Sequence, residues 1–257
     1  ERRHWDIWKN IVKEHWDLYK NIVKEYWNLH LRFMKRYVDL KSGDTILDIG
    51  CGPWGMINYI DKGDRYGLDS LMDYYLLNFE MPRNINFLKG MGEDVPFKNE
   101  CFDIVIATNT LDHTKDPKRM LEEIRKVLRK NGVLFLTANC YGPLYRMQRE
   151  VMERLGRGDK PHPHSLSFWR VEELMVKSKF HVKVIRSGIG DLGDYSYKQL
   201  ARRYKEIACR LGRDRFRFEW KPRFIIKIID NMIGPIEKKI GYHTDFLFIA
   251  TKSEALN

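Results

Sequence analysis

The chain has 257 residues, 43% of them hydrophobic and 32% charged, with a formal charge of +11. That apolar content supports a packed core and excludes a disordered tail or a fibrous protein. No run approaches the ~18 uninterrupted apolar residues of a membrane span. The greasiest stretch, 224–236, is broken by Lys227, Asp230 and Asn231.

The N-terminus shows no short apolar core followed by a small-residue cleavage site, and Cys51, Cys101, Cys140 and Cys209 have no paired spacing. Both features lead to the expectation of a cytoplasmic protein with reduced thiols. The charge is uneven: residues 42–139 carry −3 and residues 140–240 carry +11. A positive field of that kind attracts acidic ligands, anionic lipid or nucleic acid.

Residues 1–40 form an N-terminal amphipathic segment that repeats every eleven residues: HWDIWKNIVKE, HWDLYKNIVKE, YWNLH. Eleven residues make almost three helical turns, so Trp5, Trp16 and Trp27 share one face, and the apolar arc is wide enough to require burial. The repeat suits a helix that packs on its own domain, covers a ligand or pairs with a second copy as a homodimer.

From residue 41 to 257 strands and helices alternate, as in a mostly parallel sheet. Strands are expected at 45–49, 65–68, 85–88, 102–108, 133–137, 182–185 and 246–249, the last antiparallel. Helices are expected at 56–60, 71–79, 116–129 and 168–179. FDIVIAT at 102–108 is continuously apolar, as in a strand buried on both faces. Pro117 opens the helix after it, and Asn131-Gly132 reads as its stop. Two excursions, 140–166 and 188–243, are long enough to carry function and are expected to form a helical cap. The fold class is therefore α/β: a Rossmann-like seven-stranded sheet with an N-terminal helix and two helical insertions.

Gly50, Gly52 and Gly55 form GxGxxG between a strand and a helix, which brings backbone N–H groups close to a ligand. Asp69 ends the next strand, where a carboxylate can accept from both hydroxyls of a ribose. These features alone fit a nicotinamide dehydrogenase equally well. Asp48, an acid two residues before the glycines, suits an ammonium and a sulfonium better than a pyrophosphate.

TILDIGCGPWG, YGLD, GEDVPF and FDIVIATNTLDHTKDPKRMLEEIRKVLRKNGVLFL, in that order, resemble the class I S-adenosylmethionine (SAM)-dependent methyltransferases of the small-molecule type. The resemblance is close over 41–139 and looser over 168–185 and 243–252. It implies SAM as the methyl donor, with Asp48, Gly50, Cys51 and Gly52 at its methionine end. Asp69 would hold the ribose with Ser70 beside it, Glu93 and Asp94 would frame the adenine, and Asn109 would lie near the amino-acid part. Trp54 and Met91 depart from the family pattern, the first in place of a small residue and the second where an adenine-binding Asp is common.

Methyl transfer needs alignment above all, and a base only where the acceptor holds its proton tightly. His113, after the fourth strand at the open end of the sheet, is the candidate base, although a loop-fixing role explains it as well. His162 and His164 read as pocket or loop residues, since no third ligand completes a metal set around them. The NTLD at 109–112 lacks the NPPY-like tetrad of amino-methylating nucleic-acid enzymes. The expected acceptor is a small molecule, acidic or lipid-linked, methylated on O, N or C. The basic, aromatic 188–243 stretch would close over it or rest on an anionic membrane. An RNA methyltransferase and a non-catalytic partner protein of the same fold are the alternatives.

Overall fold

A computed structural model describes residues 16–154, 163–187 and 244–252. The first copy of the repeat, His162, Cys209 and the whole 188–243 excursion lie outside the described residues.

Helix α1 (Trp16–Met34) leads into β1 (Thr45–Ile49), a 3-10 turn (Met56–Tyr59), β2 (Asp64–Asp69), α2 (Met72–Asn78), β3 (Asn86–Lys89) and β4 (Phe102–Thr108). Next come α3 (Pro117–Val127), β5 (Leu128–Cys140), α4 (Pro143–Arg154), α5 (Phe168–Lys177), β6 (Phe180–Ser187) and β7 (Thr244–Lys252). The sheet order is β3-β2-β1-β4-β5-β7-β6. β1 pairs in parallel with both β2 and β4, whereas β7 runs antiparallel to both β5 and β6. The expected seven-stranded sheet is present, and its strand order reverses between β1 and β4. In open α/β sheets ligands bind at such a reversal, outside the carboxyl ends of the strands.

The period-two pleat of β4 divides the core in two. Val105 and Ala107 face a layer built with Met120, Leu121 and Ile124 of α3 and Val171, Leu174 and Met175 of α5. Ile104 and Ile106 face the opposite layer, where Leu31, Phe33 and Met34 of α1 join Met56 and Ile57 of the 3-10 turn and Met72 and Tyr75 of α2. The C-terminal half of α1 is thus a component of the core of its own domain.

Two expectations are corrected. The helix expected at 56–60 is a 3-10 turn, because Gly55 packs against Cys51: a Cβ there would lie 2.2 Å from the Cys51 carbonyl oxygen. The helix expected through Arg129 ends at Val127, and the following strand begins at Leu128 rather than Val133. Pairing decides this, since fully buried Leu128 is extended (φ −70, ψ 135) and lies opposite Phe102. Gly132 serves that approach instead of stopping a helix, as a Cβ there would sit 2.8 Å from Leu128 Cγ. Helix α4 lies within the 140–166 excursion, where a helical insertion was expected.

At its other end α3 is capped as its sequence suggests. Asp116 Oδ1 accepts the Lys118 and Arg119 N–H groups at 3.0 and 3.1 Å, with Pro117 at the first helical position. Replacing Asp116 by Ala is expected to cost about 1 kcal/mol. A differential scanning calorimetry trace should then show the melting temperature lowered by roughly 2–4 °C.

Candidate methyl-donor site

The turn after β1 depends on two glycines in the left-handed region, Gly50 (φ +72) and Gly52 (φ +55). Gly50 donates its N–H to the Leu68 carbonyl of β2 at 2.7 Å. A Cβ on Gly50 would fall 2.4 Å from Thr110 Cγ2, so its glycine lets the β1 turn meet the loop after β4. A Cβ on Gly52 would meet no described heavy atom within 4 Å, which leaves open space on that side of the turn. Cys51 between them is buried, and burial pushes its thiol well above the ordinary value, so its side chain packs while its backbone lines the turn.

Asp48 lies in the middle of the sheet with no exposure at all. Its Oδ2 accepts the Ile57 N–H at 3.1 Å, while Oδ1 is buried without a hydrogen-bond partner. Burial pushes its carboxyl up to about 7, with the Asp69 charge adding to the effect. A buried, orphaned acceptor of this kind is completed by a positively charged donor.

The consequences for pH have a definite sign. The folded value of about 7 exceeds the ordinary 3.8, so the native state holds this proton more tightly than the unfolded chain does. The contribution of Asp48 to the stability of the ligand-free protein should be greatest below about pH 4. It should fall as pH rises toward 7, by an amount on the order of 4 kcal/mol relative to Asp48→Asn. Affinity for a cationic ligand should move oppositely, rising between about pH 6 and 8, and Asp48→Asn should flatten that rise in a calorimetric titration.

Asp69 joins the turn to the next helix. Its Oδ2 accepts the Gly52 N–H at 3.0 Å and its Oδ1 the Leu71 N–H at 2.9 Å, which fixes the carboxylate at the end of β2 beside exposed Ser70. Asp48, Gly50, Cys51, Gly52 and Asp69 therefore meet at the carboxyl ends of β1 and β2.

Across the reversal, Asn109 follows β4 with φ +51. It donates its backbone N–H to Thr137 O at 3.1 Å, and its Oδ1 accepts from Thr137 Oγ1 at 3.2 Å. Its Nδ2 donates to Tyr26 Oη at 3.2 Å. Half-buried His113 donates its backbone N–H to Thr110 O at 3.0 Å. Glu93 braces this loop: its Oε1 accepts the Lys115 N–H at 2.6 Å, and its carbonyl accepts Arg119 Nε at 2.8 Å. Asp94 is exposed, and its N–H is held by Met91 O at 3.1 Å. His164 joins from another segment, its N–H reaching Asp112 O at 3.4 Å and its Nε2 lying 3.3 Å from Lys115 O.

Four residues enter that sequence reasoning did not assign to the site. Trp27 Nε1 donates to the Trp54 carbonyl at 2.6 Å, so α1 is tied to the glycine turn. Tyr26 reaches Asn109, as above. His30, fully buried, donates Nδ1–H to Tyr26 O at 3.0 Å. Burial lowers its pKa to about 4 and keeps it neutral. Asp112 is 1% exposed, and neither carboxylate oxygen has a hydrogen-bond partner. The only signal for the first three was YWNLH at the end of the repeat, which reads as packing. For Asp112 there was only its place between Leu111 and His113.

Comparison with known proteins agrees with this geometry. Residues 47–136 match the methyltransferase domain family. An uncharacterized methyltransferase of Schizosaccharomyces pombe is 27% identical over 167 residues, 55% of this chain and 60% of the relative. The sarcosine/dimethylglycine N-methyltransferase of Aphanothece halophytica is 26% identical over 106 residues, 37% of this chain and 38% of that protein. The chain thus spans less than two thirds of these relatives. Among solved structures, a sarcosine dimethylglycine methyltransferase homologue from Galdieria sulphuraria superposes with a TM-score of 0.60 at 15% identity, covering 90% of this chain and 85% of that one. A methyltransferase homologue from Bacillus halodurans superposes with a TM-score of 0.57 at 17% identity, covering 87% and 99%. With the reversal of strand order, the two left-handed glycines and the paired acids, these matches identify residues 47–136 as a methyltransferase domain.

Proposed function

We propose that the chain transfers a methyl group from SAM to O, N or C of a small acidic or lipid-linked metabolite. The observation that carries the donor half is the orphaned Oδ1 of buried Asp48 beside two left-handed glycines. Those residues fit the donor: Asp48 would take its ammonium, the Gly50–Gly52 backbone would lie along its methionine part, and Asp69 would accept from its ribose hydroxyls. SAM supplies a methyl group already activated by positive sulfur. The protein's share is then to hold the acceptor in line and to take up a proton where one is released, for which His113 is the candidate base.

The acceptor half of the reading rests on the +11 charge over 140–240 and on the kind of relatives the chain has. One solved neighbour, an N-methyltransferase of Haemonchus contortus, was crystallised with phosphomonomethylethanolamine and S-adenosylhomocysteine.

The test is to incubate the protein and methyl-labelled SAM with an extract of the source cells, with and without nuclease, and to fractionate the label. Label in the small-molecule or organic fraction that survives nuclease supports the reading. Nuclease-sensitive label would make the basic segment an RNA surface. A His113→Ala variant with unchanged turnover and pH profile would remove that residue from the chemistry.

A further inference from the structure

Asp112 is an acidic side chain that the donor site does not use. It lies in the loop after β4, beside the strand-order reversal and three residues beyond Asn109. It is 1% exposed, and Leu111 before it and Thr114 after it are buried as well. Two backbone bonds hold the 164–166 segment beside it: His164 N–H reaches Asp112 O at 3.4 Å, and Tyr141 N–H, just after β5, reaches Leu166 O at 2.9 Å. Both Oδ1 and Oδ2 of this buried side chain lack a hydrogen-bond partner. A carboxylate buried without partners is offset when a ligand brings it donors and positive charge.

Two cation chemistries would satisfy it, a metal ion or an organic ammonium. A bound metal needs several ligands converging at short range, and among the described residues no group of three His, Cys, Asp and Glu could hold one. An ammonium is satisfied by a single carboxylate with apolar and aromatic walls. We infer that Asp112 is the acceptor-recognition residue and that the acceptor is an amine, methylated on nitrogen.

This rests on the methyl-transfer reading above and narrows its acceptor from O, N or C to N. An amine that also carries an acidic group fits both Asp112 and the basic excess of 140–240. The chemistry balances. The ammonium acceptor, bound to Asp112, gives one proton to the base assigned to His113. The freed nitrogen lone pair forms the new N–C bond while the C–S bond of SAM breaks with its electron pair on sulfur. Nitrogen is positive again after transfer, Asp112 offsets that charge, and the proton leaves the base to water.

The experiment uses the full chain and three readouts. SAM binding is measured by calorimetry on the wild type, Asp112→Asn and Asp112→Glu. Methyl-labelled SAM is then supplied with cell extract, and the labelled product is sorted into N-methyl, O-methyl and C-methyl by hydrolysis and mass spectrometry. Sarcosine, phosphoethanolamine and histamine are tested beside glycolate and ethylene glycol phosphate as nitrogen-free counterparts, with and without EDTA. The expected result is N-methyl label that EDTA does not affect. It should fall at least about 100-fold in Asp112→Asn and recover partly in Asp112→Glu, with the SAM dissociation constant unchanged within about twofold. O- or C-methyl label, no label despite intact SAM binding, loss with EDTA, or unaltered N-methylation in Asp112→Asn would overturn it. Failure of the wild type to bind SAM would instead sink the methyl-transfer reading itself.

Discussion

Replacing Asp69 by Ala should weaken SAM binding by at least about 100-fold, the largest single loss expected in the donor site. The carboxylate accepts from Gly52 at 3.0 Å and from Leu71 at 2.9 Å. Hydrogen bonds to a charged group contribute roughly 1.5–3 kcal/mol each. Removal therefore loosens the glycine turn and the start of α2 together, and it also takes away the oxygens proposed for the ribose. Every 1.4 kcal/mol is tenfold in affinity, so two such contacts suffice for the predicted loss. Asp69→Asn should fare little better, because an amide nitrogen facing either backbone N–H is a donor opposed to a donor. A calorimetric titration of each variant checks this, and binding within threefold of wild type would contradict it.

Gly50→Ala should produce the largest loss of stability among the site variants. Two costs coincide there. A left-handed φ of +72 costs an L residue roughly 1–2 kcal/mol. The new Cβ would also stand 2.4 Å from Thr110 Cγ2, and Thr110 Oγ1 is itself held 3.1 Å from the Ile49 carbonyl. The loop cannot yield without breaking that contact, and overpacking of this kind adds roughly 1–3 kcal/mol. The melting temperature should fall by about 5–15 °C for a domain of this size. Gly52→Ala separates the two terms, since its φ is +55 but a Cβ there meets no described atom within 4 Å. It should lose only the smaller conformational part of the stability, yet still lower SAM affinity by intruding on the open side of the turn. Equal melting temperatures for the two variants would show that the Thr110 overlap is relieved by movement.

The parts of the fold that could be read from the chain are those fixed by local chemistry. FDIVIAT specifies a strand buried on both faces whatever surrounds it, and β4 occupies those seven residues. Asp116-Pro117 is an N-cap with proline at the first helical position, and the helix starts there. Glycines bracketed by Asp48 and Asp69 mark a turn that must bring backbone close to a ligand.

What could not be read depends on tertiary partners. The end of α3 is set by the pairing of Leu128 with Phe102, 26 residues away, against the local stop signal of Asn131-Gly132. Trp27 looks like one more apolar residue in a repeat until Trp54 offers a carbonyl to its indole. Glu93 sits where the family resemblance implies an adenine wall, while its carboxylate receives the Lys115 N–H and organises the loop after β4. Asp112 is locally indistinguishable from a solvated loop aspartate, yet it is 1% exposed, with His164 from a distant segment bound to its carbonyl. The proposed acceptor site is thus composed of residues whose roles arise from enclosure, which a linear pattern does not carry.

Asp48 and Asp69 are proposed to hold a sulfonium amino acid nucleoside rather than a dinucleotide. The most direct measurement is a pair of calorimetric titrations of the full chain at pH 7.5, one with SAM and one with NAD. The expected result is saturable one-to-one binding of SAM that Asp48→Asn and Asp69→Ala each weaken, and no heat from NAD. Saturable NAD binding with no response to SAM would contradict it, and would return the glycine turn to the pyrophosphate of a dinucleotide.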